Sequence, residues 1–377
     1  MPRRRWTRTA AIRTSAKERS TVADNTLTIA AIPGDGIGNE VLPAATQVLE
    51  RAAAMAGIRI DWTWLDWGCD HLVRTGTMMP ADGIDRLRQH DAVFLGAVGR
   101  NDVPDHESLW GLLIPIRRAF DQYVNLRPVR QFEGVEPRVR LPEGAVVDMV
   151  IVRENTEGEY SEIGGRYGRG THREFALQEN IFTRVGIERV ARYAFNQAAG
   201  RRDHVTSATK SNGIIHTMPF WDEVVAEVAS AYPGTTLRKV LIDALAAEMV
   251  QRPHEFDVVV ASNLFGDILS DLAAATVGSL GVAASANLNP ERLFPSMFEP
   301  VHGSAPDIAG RGIANPVAAI WSGAMMLEHL GHPEPAAAIM RSMEGSLLVP
   351  ATRTADLEGT ADTAAVTQAI LDGLDQR

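Results

Sequence analysis

Two aspartates, Asp267 and Asp271, stand four residues apart shortly after the apolar stretch Val258–Val260. The apolar stretch predicts a buried strand, and the apolar spacing that follows it predicts a helix. On that helix both carboxylates share one face, and like charges at this spacing destabilise a helix by roughly 0.2–0.5 kcal/mol. A divalent cation with oxygen ligands would offset this repulsion. The alternative interpretation is an interaction with the positive N-terminal end of the helix, which suits Asp267 better than Asp271.

Lysine is rare in this chain, which carries its positive charge almost wholly on arginine. The lysines are Lys17, Lys210 and Lys239. Where arginine supplies charge, a lysine indicates a role that needs a removable proton, because arginine does not give up its proton at physiological pH. Lys210 is therefore a candidate base, whereas the other two lie in ordinary polar surroundings.

The composition is that of a soluble globular protein. The 377 residues are 45% hydrophobic and 22% charged, which is enough for two domain cores. No apolar run reaches the ~18 residues of a membrane-spanning helix. The single cysteine, Cys69, excludes an internal disulfide framework and a cysteine-rich zinc site, and favours a cytoplasmic location.

The net charge of −10 is distributed unevenly. Residues 1–25 contain seven basic and two acidic residues, a charge of +5, which leaves −15 for the rest of the chain. The acidic body argues against nucleic acid as a partner. Residues 1–26 are interpreted as a basic, disordered extension, with an organelle-targeting segment as the less favoured alternative.

From residue 27 onward, apolar runs alternate with helical patterns, which is typical of an α/β protein. Two irregular stretches interrupt the alternation. The glycine-rich residues 157–174, followed by an apolar Phe-Ala-Leu run, predict a β-arm that reaches a partner subunit. Residues 278–316 contain five prolines that prevent a continuous helix, and such rigid loops suit ligand binding. The predicted strands are Leu27–Ile32, Ala92–Leu95, Val146–Val152, Val240–Ile242 and Val258–Val260.

The first predicted strand is followed by the glycine-rich run Gly34-Asp35-Gly36-Ile37-Gly38. Strand, glycine turn and helix in this order are typical of a dinucleotide-binding Rossmann fold. The Rossmann fingerprint requires a glycine or alanine three residues after its second glycine, however, and Asn39 occupies that position. We therefore expect a tight strand-to-helix turn without a Rossmann fingerprint.

Several separate motifs resemble those of the β-decarboxylating dehydrogenases, the family of isocitrate and 3-isopropylmalate dehydrogenases. They are IPGDGIGNEV, LLIPIRRAFDQYVNLRPVR at residues 112–130, VRENTEGEY at 152–160, Lys210, NLFGDILSD at 263–271 and EPVHGSAPDIAGRGIANP at 299–316. The resemblance covers nearly everything after the basic tail. Within the family, DHESLWGLLIPIRR, TSATKSNGI and ANLNPERLFPSMFEP are most similar to the branch that acts on tartrate or D-malate.

The resemblance implies an isopropylmalate-dehydrogenase-like fold in which two domains share a central mixed sheet. The cofactor-side domain would comprise residues 27–122 and 278–377, and the substrate and dimerisation domain residues 123–277. The latter would include the β-arm at 157–178. The resemblance also implies a homodimer with shared active sites, so a second copy of this chain is the expected partner.

The resemblance assigns roles to individual residues. Asp267 and Asp271 would bind Mg²⁺ or Mn²⁺ together with Asp243 of the partner subunit, and the other interpretation of Asp243 is a helix cap. Lys210, also expected from the partner subunit, would take the proton of the substrate C2 hydroxyl. Tyr160 would protonate C3 after CO₂ leaves. K⁺ is a further candidate ion.

Arg117, Arg127 and Arg153 match the family's substrate-binding arginines, whose planar guanidinium groups hold carboxylates through paired hydrogen bonds. Arg127 lies in an Asn-Leu-Arg-Pro run, which predicts a turn. Asp307 implies NAD, because a carboxylate can accept hydrogen bonds from both ribose hydroxyls but would repel the 2′-phosphate of NADP. The residues that match the family's cofactor loop are His302, Gly303, Ser304, Ala305, Asp307 and Asn315.

The segment before Arg117 distinguishes substrates within this family. Where polar residues would bind the third carboxylate of isocitrate, the chain has Gly111 and Leu113, which disfavours isocitrate. Leu113 suits the isopropyl group of 3-isopropylmalate, whereas Trp110 is bulky enough to fill that space. A small C4 hydroxy-diacid fits best, with oxidative decarboxylation of D-malate to pyruvate or oxidation of tartrate to oxaloglycolate as the activity and 3-isopropylmalate as the alternative substrate. A pocket change of this size is worth only ~1–3 kcal/mol, so the specificities should overlap.

Two other functional classes stay open. A non-catalytic regulatory subunit of a related dehydrogenase would share the fold, but the presence of Tyr160, Lys210 and all three aspartates disfavours it. A metal-dependent hydrolase would use paired aspartates, but the arginines and the loop around Asp307 would then have no purpose.

Overall fold

The computed structural model describes residues 25–376, so that residues 1–24 of the predicted basic extension lie outside the described part of the chain. The strands are β1 (Thr26–Gly34), β2 (Arg59–Trp64), β3 (Ala92–Ala97), β4 (Val124–Arg130), β5 (Asp148–Glu154), β6 (Gly164–Tyr167), β7 (Phe175–Gln178), β8 (His204–Thr209), β9 (Thr236–Leu241), β10 (Val258–Ala261), β11 (Ala284–Leu288) and β12 (Ser296–Pro300).

The helices are α1 (Gly38–Met55), α2 (Cys69–Thr75), α3 (Gly83–Leu87), α4 (Asp105–Ser108), α5 (Ile114–Ala119), α6 (Arg184–Ala199), α7 (Thr217–Ala229), α8 (Ile242–Gln251), α9 (Asn263–Thr276), α10 (Val317–His329), α11 (Pro333–Leu348) and α12 (Thr363–Asp375). A π-helical turn, Leu109–Leu113, joins α4 to α5. Short 3₁₀ turns occupy Pro253–Glu255, Leu280–Val282, Pro350–Thr352 and Ala355–Leu357. None of these described helices is long and apolar enough to cross a membrane.

A ten-stranded mixed sheet runs through the molecule in the order β2-β1-β3-β12-β11-β4-β5-β10-β8-β9. Neighbouring strands are parallel within β2-β1-β3-β12 and within β5-β10-β8-β9. Between these two blocks, β11 and β4 pair antiparallel with each other and with their outer neighbours. The two parallel blocks therefore run in opposite directions and are joined by an antiparallel centre.

Within the first block, strands β1 and β3 contribute to a buried core on both faces of the sheet. Successive residues of β1 alternate between two hydrophobic clusters, so that Ile29 and Ala31 join one cluster and Ala30 and Ile32 join the other. Strand β3 alternates in the same way. A strand that is buried on both faces appears in the sequence as a continuous apolar run, which is how these strands were recognisable. The predicted α/β fold with a central mixed sheet is confirmed.

The prediction that residues 278–316 form an irregular loop is wrong, because this stretch contains β11 and β12 near the centre of the sheet. Every residue of both strands is buried. Their sequences, ASANL and SMFEP, contain no β-branched residue, so local propensity indicates a strand only weakly. Pairing with β4 and β3, which are distant in the chain, stabilises the extended conformation.

The Asn-Leu-Arg-Pro run around Arg127 belongs to β4 and is not a turn. Proline is usually excluded from a central strand because it lacks an N–H group. Strand β11 pairs only with Val124–Leu126 of β4, so Pro128 has no strand partner on that side. The end of β4 is therefore an edge on one side, which makes the proline tolerable.

The predicted β-arm is a two-stranded antiparallel hairpin, β6-β7, separate from the main sheet. All residues of both strands are exposed. Tyr167 and Phe175 stack on each other with ring centroids 5.0 Å apart. The hairpin is confirmed, and its contact with a partner subunit stays a prediction.

The predicted division into two domains falls between β11 and β4. Residues 27–122 and 278–377 contribute β1, β2, β3, β11 and β12, whereas residues 123–277 contribute the other strands of the main sheet. A single hydrogen-bonded sheet therefore crosses the proposed boundary, and the division itself stays a prediction.

Candidate active site

A cavity opens at the antiparallel centre of the sheet. Its walls come from five neighbouring strands, β3, β12, β11, β4 and β5, together with α5, the π-helical turn, α9 and the segment between β5 and the hairpin. The predicted site residues that line it are Leu113, Arg117, Arg127, Arg153, Tyr160, Asp267, His302 and Gly303. The sheet thus gathers residues that are far apart in the sequence.

Two buried arginines flank Asp267, which lies on α9. Arg153 donates from Nη1 to Asp267 and from Nη2 to Asn263 Oδ1 at 2.8 Å. Arg127 Nη2 lies 3.2 Å from Asp267 Oδ1, and Arg127 Nη1 lies 3.4 Å from Asp271 Oδ1. The arginine side chains are less than a tenth exposed, whereas the Asp267 and Asp271 side chains are 37% and 56% exposed. Arginine contacts therefore offset the repulsion between the two aspartates, which still present oxygen atoms to solvent.

The arginines also set the ionisation of the aspartates. Burial would raise the pKa of Asp267, but the charges of Arg153, Arg127 and Arg117 outweigh it, so its pKa lies below the usual value. Burial raises the pKa of Asp271, against the opposing charge of Arg127. Burial and the charge of Arg127 lower the pKa of Arg153 to about 10. At neutral pH the cavity therefore holds ionised Asp267 beside charged arginines, an arrangement that suits an anionic ligand.

Tyr160 directs its hydroxyl group at Asp267, with Oη donating to Oδ2 at 3.3 Å. Its ring lies 5.7 Å from the guanidinium carbon of Arg153, a cation–π distance. Burial, followed by the negative charge of Asp267, raises the pKa of Tyr160. The phenol is therefore protonated at neutral pH and can act as a proton donor into the cavity.

A chain of hydrogen bonds across the sheet joins Arg117 to Arg127. Arg117 Nη2 donates to Glu299 Oε1 at 2.9 Å, and Asn287 Nδ2 donates to the same oxygen at 2.7 Å. Asn125 Nδ2 donates to Asn287 Oδ1 at 3.1 Å, and Arg127 Nε donates to Asn125 Oδ1 at 2.7 Å. All five residues are at most 9% exposed. Because buried polar groups in a connected network hold one another in place, the two guanidinium groups are fixed relative to each other.

Sequence reasoning misses Asn125, Asn287 and Glu299. The signal that could find them is a polar residue inside a buried strand, where a side chain without a hydrogen-bond partner is costly. Local propensity does not reveal β11 and β12, however, so this signal becomes visible only when the strands are known.

Lys210 and Asp243 do not line this cavity and contact each other instead. Lys210 follows β8, and its Nζ donates to Asp243 Oδ1 at 2.5 Å. Leu241 occupies the N-cap position of α8, so Asp243 lies in the first turn and is not the cap. The hydrogen bond from Lys210 lowers the pKa of Asp243.

The described residues of one chain do not complete the predicted metal site. Among residues 25–376, no group of three or more histidine, cysteine, aspartate or glutamate side chains is arranged to hold a metal ion. Of the three predicted ligands, Asp267 and Asp271 lie together on α9, and Asp243 of the same chain does not join them among the described residues.

A second cleft adjoins the first, and His302 lines both. Its Nε2 atom is buried and has no hydrogen-bond partner among the described residues, and burial lowers the pKa of its ring. The predicted loop residues Ala305 and Asn315 line the second cleft together with Ile37, Ile308 and Ile313. Ser304 is buried and Asp307 is exposed.

Asp356 also lines the second cleft, and sequence reasoning does not identify it. Its Oδ2 atom accepts hydrogen bonds from Ser279 Oγ at 2.6 Å and from Asn315 Nδ2 at 3.1 Å. Thr354 Oγ1 donates to its other oxygen at 2.5 Å. Asp356 therefore holds the amide of Asn315 in place, although it follows that residue by 41 positions.

Leu109 and Leu113 of the π-helical turn contribute apolar side chains to the first cavity wall, together with Val98, Ile114 and Val301. Trp110, between them, does not line the cavity. Its ring lies 5.1 Å from the guanidinium carbon of Arg118, a residue that does line the cavity. Of the predicted specificity residues, Leu113 therefore lines the cavity and Trp110 does not.

Comparison with known proteins agrees with this geometry. Residues 28–373 match the family described as isocitrate/isopropylmalate dehydrogenase. The chain is 52% identical over 353 residues to D-malate dehydrogenase (decarboxylating) of Escherichia coli (strain K12), covering 92% of this chain and 98% of that protein. It is 52% identical over 359 residues to tartrate dehydrogenase/decarboxylase of Pseudomonas putida, covering 92% and 97%.

The fold is also similar to that of a solved structure, isocitrate dehydrogenase from Methylococcus capsulatus. The TM-score is 0.84 at 36% sequence identity, and the match covers 93% of this chain and 100% of that one. Since sequence, fold and cavity agree over almost the whole described chain, this protein belongs to the isocitrate/isopropylmalate dehydrogenase family and is an oxidoreductase.

Proposed function

We propose that this chain catalyses NAD-dependent and divalent-metal-dependent oxidative decarboxylation of D-malate to pyruvate and CO₂, oxidation of tartrate to oxaloglycolate, or both. The observation that carries the proposal is the convergence of Arg117, Arg127 and Arg153 on one cavity with Tyr160 and Asp267. The names of the two 52%-identical relatives favour the same substrates.

The arginines are suited to a small dicarboxylate. Each buried guanidinium group can donate paired hydrogen bonds to a carboxylate. The hydrogen-bond chain through Glu299, Asn287 and Asn125 holds two of the three arginines before a substrate arrives. Binding then requires little reordering of these side chains, which favours affinity and orientation.

The carboxylates of Asp267 and Asp271 fit a divalent cation, because they lie one helical turn apart and are both partly exposed. Oxygen ligands of this kind suit Mg²⁺ or Mn²⁺. Asp243 of the partner subunit is the proposed third ligand, and K⁺ is a proposed accessory ion. A bound divalent ion supplies positive charge that favours loss of the C2 hydroxyl proton and stabilises the negative charge that remains when CO₂ leaves.

The second cleft fits the adenosine part of NAD. Its isoleucine side chains offer an apolar surface to an adenine ring, and His302 Nε2 is a buried nitrogen without a hydrogen-bond partner among residues 25–376. Gly303, Ser304 and the exposed Asp307 complete the proposed loop, and the Asp307 carboxylate suits ribose hydroxyls rather than a 2′-phosphate. NAD supplies the two-electron acceptor of the oxidation.

Lys210 and Tyr160 are the proposed proton-transfer residues. Lys210 of the partner subunit takes the proton from the C2 hydroxyl. Tyr160, whose phenol is protonated at neutral pH, returns one proton to C3 after the C3–C4 bond has broken. The hydride on C2 would pass to NAD⁺, C4 would leave as CO₂, and the proton lost from the C2 hydroxyl and the proton added at C3 balance the conversion of malate to pyruvate.

A homodimer is proposed because the Lys210–Asp243 pair does not line the cavity of its own chain. Leu264 and Ile268, one turn apart on α9, are 36% and 52% exposed, and Val250 on the adjacent α8 is 44% exposed. Exposed apolar side chains on neighbouring elements are typical of an interface. The hairpin adds further exposed apolar residues, namely Ile163, Tyr167, Phe175 and Leu177.

The test is NADH formation from D-malate, L-tartrate, meso-tartrate, 3-isopropylmalate and isocitrate in parallel, with Mn²⁺ and K⁺ present. We expect D-malate or a tartrate to have the highest kcat/KM, and we expect a chelator to abolish activity until Mn²⁺ is restored. 3-Isopropylmalate is the alternative substrate because Leu109 and Leu113 offer an apolar wall for its isopropyl group. If its kcat/KM exceeded that of D-malate tenfold, about 1.4 kcal/mol of discrimination, the assignment would be wrong. Equal activity with NADP would overturn the NAD assignment.

A further inference from the structure

The glycine-rich turn at residues 34–38, which resembles part of a dinucleotide fingerprint, is accounted for by contacts within the protein. A Cβ atom at Gly34 would lie 1.9 Å from the Ala97 carbonyl oxygen, and a Cβ atom at Gly36 would lie 2.1 Å from the Ser304 carbonyl oxygen. Both glycines also have positive φ angles, 71° and 54°, which glycine adopts without a steric penalty. The turn therefore packs backbone against backbone, and one of its partners is residues 302–315, here called the cofactor loop.

The start of helix α1, with its N-cap residue Ile37, contacts the cofactor loop at two places. Ile37 N donates to the Ser304 carbonyl oxygen at 2.9 Å. The Glu40 carboxylate accepts two backbone hydrogen bonds, from Gly310 N at 2.6 Å and from Gly312 N at 2.8 Å. Hydrogen bonds to an ionised carboxylate are stronger than those between neutral groups. The Glu40 side chain of α1 thus holds residues 310–312 of the loop in place.

The loop needs such a contact because of its backbone conformation. Gly310 and Gly312 have φ angles of 76° and 66°, and glycine loses more conformational freedom on ordering than any other residue. On the other side of the loop, Thr363 N donates to the Gly312 carbonyl oxygen at 2.9 Å. Asp307, the proposed ribose-binding residue, lies between Ser304, which is hydrogen-bonded to Ile37, and Gly310, which is hydrogen-bonded to Glu40.

We propose that Glu40 is a positioning residue for NAD: its carboxylate holds the cofactor loop in the conformation that presents Asp307 and Ile308 to adenosine. The inference rests on the proposed assignment of this loop to NAD. This proposal gives a role to the GDGIGNE motif at residues 34–40, which is not a Rossmann fingerprint. The motif would hold the loop to which the cofactor binds.

A different role for Glu40 is stabilisation of the positive N-terminal end of α1, because it lies in the first turn of that helix. Such a charge interaction would alter the stability of the helix alone. It would not alter the affinity of the folded protein for NADH. The two roles are therefore separated by measuring cofactor binding and thermal unfolding on the same variants.

The variants are Glu40→Ala, which removes both acceptors, and Glu40→Gln, which keeps the length of the side chain and one acceptor oxygen. NADH binding to the full chain is followed by fluorescence titration, and KM for NAD⁺ by steady-state kinetics. We expect the Kd for NADH and the KM for NAD⁺ to rise about tenfold in Glu40→Ala and about threefold in Glu40→Gln. kcat at saturating NAD⁺ and KM for D-malate should change less than about twofold, because no catalytic group is removed.

The matched control is Glu50→Gln on the same helix, since Glu50 is exposed and far along α1 from the loop. Its affinity for NADH should equal that of the wild type. Amide hydrogen exchange provides a second readout that needs no catalysis: a peptide spanning residues 306–314 should exchange faster in Glu40→Ala than in the wild type without cofactor.

Unchanged NADH affinity in both Glu40 variants would overturn the inference, as would a fall in kcat at unchanged affinity. If Glu40→Ala is unfolded at the assay temperature, Glu40→Gln alone decides the outcome. A wild-type chain that binds no NADH would overturn the NAD assignment and this inference together, whereas a wild type and variants that bind NADH equally well would overturn this inference only.

Discussion

At the scale of single residues, the cavity is organised by one ionised aspartate among buried arginines. Burying a guanidinium group costs free energy unless it is paired, and Arg153 is paired by Asp267 and Asn263. The arginines lower the pKa of Asp267 despite its burial, whereas burial, and then the charge of Asp267, raise the pKa of Tyr160. Two neighbouring groups are thereby held in different protonation states at neutral pH, one as a carboxylate and one as a neutral acid, which is a common feature of acid–base sites.

Tyr160→Phe tests the proton-donor role directly, because it removes the hydroxyl group and keeps the ring beside Arg153. We expect kcat for D-malate to fall by about 10²–10⁴-fold, the usual contribution of a positioned general acid. KM for D-malate should change less than about threefold, since the three arginines remain. NADH formation measures both quantities.

The control is Tyr232→Phe, which removes a hydroxyl that donates to Asn196 Oδ1 at 2.9 Å and does not line the cavity. Its kinetic constants should match those of the wild type. A Tyr160→Phe variant that keeps more than a tenth of the wild-type kcat would contradict the assigned role.

At the scale of elements, the residues of helix α9 fall into three sets that lie in different environments. Phe265, Leu269 and Ala273 are buried in the core, which anchors the helix against the sheet. Asp267 and Asp271 face the arginines of β4 and β5. Leu264 and Ile268 are the exposed large apolar residues of this helix. The period of 3.6 residues per turn separates these sets, so the same helix presents aspartates to the arginines and apolar side chains to the proposed dimer interface.

Ile268→Glu tests whether this outer face of α9 is a dimer interface. A charge at a 52%-exposed position leaves the core of one subunit intact but cannot be buried between two subunits without a large cost. We expect a monomer by size-exclusion chromatography with light scattering, and loss of most activity because Lys210 of the partner subunit is no longer supplied.

Val146→Glu is the matched control, since Val146 is 56% exposed and precedes β5 outside α8, α9 and the hairpin. It should keep the wild-type mass and activity. An Ile268→Glu protein that stays dimeric, or a monomer with full activity, would contradict the shared-site proposal.

At the scale of the whole molecule, the sheet joins the proposed cofactor-side domain to the proposed substrate domain through β11 and β4. Asn287 on β11 and Asn125 on β4 are 162 positions apart in the chain and hydrogen-bonded at 3.1 Å. Because this pair links the two predicted domains, stability of the sheet and geometry of the cavity depend on the same contacts.

His329 makes the stability of the whole fold depend on pH. It ends α10, its Nε2 lies 3.0 Å from Ser296 Oγ, and its ring centroid lies 5.6 Å from that of Phe298 on β12. Burial, and then the charge of Arg292, lower its pKa from 6.5 to about 4. Between pH 6.5 and about pH 4, the unfolded chain binds a proton that the folded chain does not. The free energy of unfolding therefore decreases as the pH falls from 6.5 to about 4.

His329→Phe should remove this part of the acid sensitivity while keeping an aromatic ring against Phe298. Acidification from above pH 6.5 to below about pH 4 lowers the free energy of unfolding of the wild type. We expect this decrease to be about 1–2 kcal/mol smaller in the variant, after allowance for the partial exposure of His329. Urea unfolding at several pH values measures it, and the change with pH is compared rather than the absolute value, because the Ser296 contact is also lost. The exposed His172→Phe control should leave the pH dependence unchanged.

The features that can be predicted from the sequence are local: the helical spacing of Asp267 and Asp271, the α/β alternation, and the family motifs that contain the arginines, the tyrosine and the loop residues. These follow from periodicity and side-chain chemistry within a short window. The tertiary structure alone decided that ASANL and SMFEP are strands, that Glu299, Asn287 and Asn125 link the arginines, and that Lys210 contacts Asp243 away from its own chain's cavity. Each of these depends on pairing between segments that are distant in the chain, where burial and backbone hydrogen bonds outweigh weak local propensity.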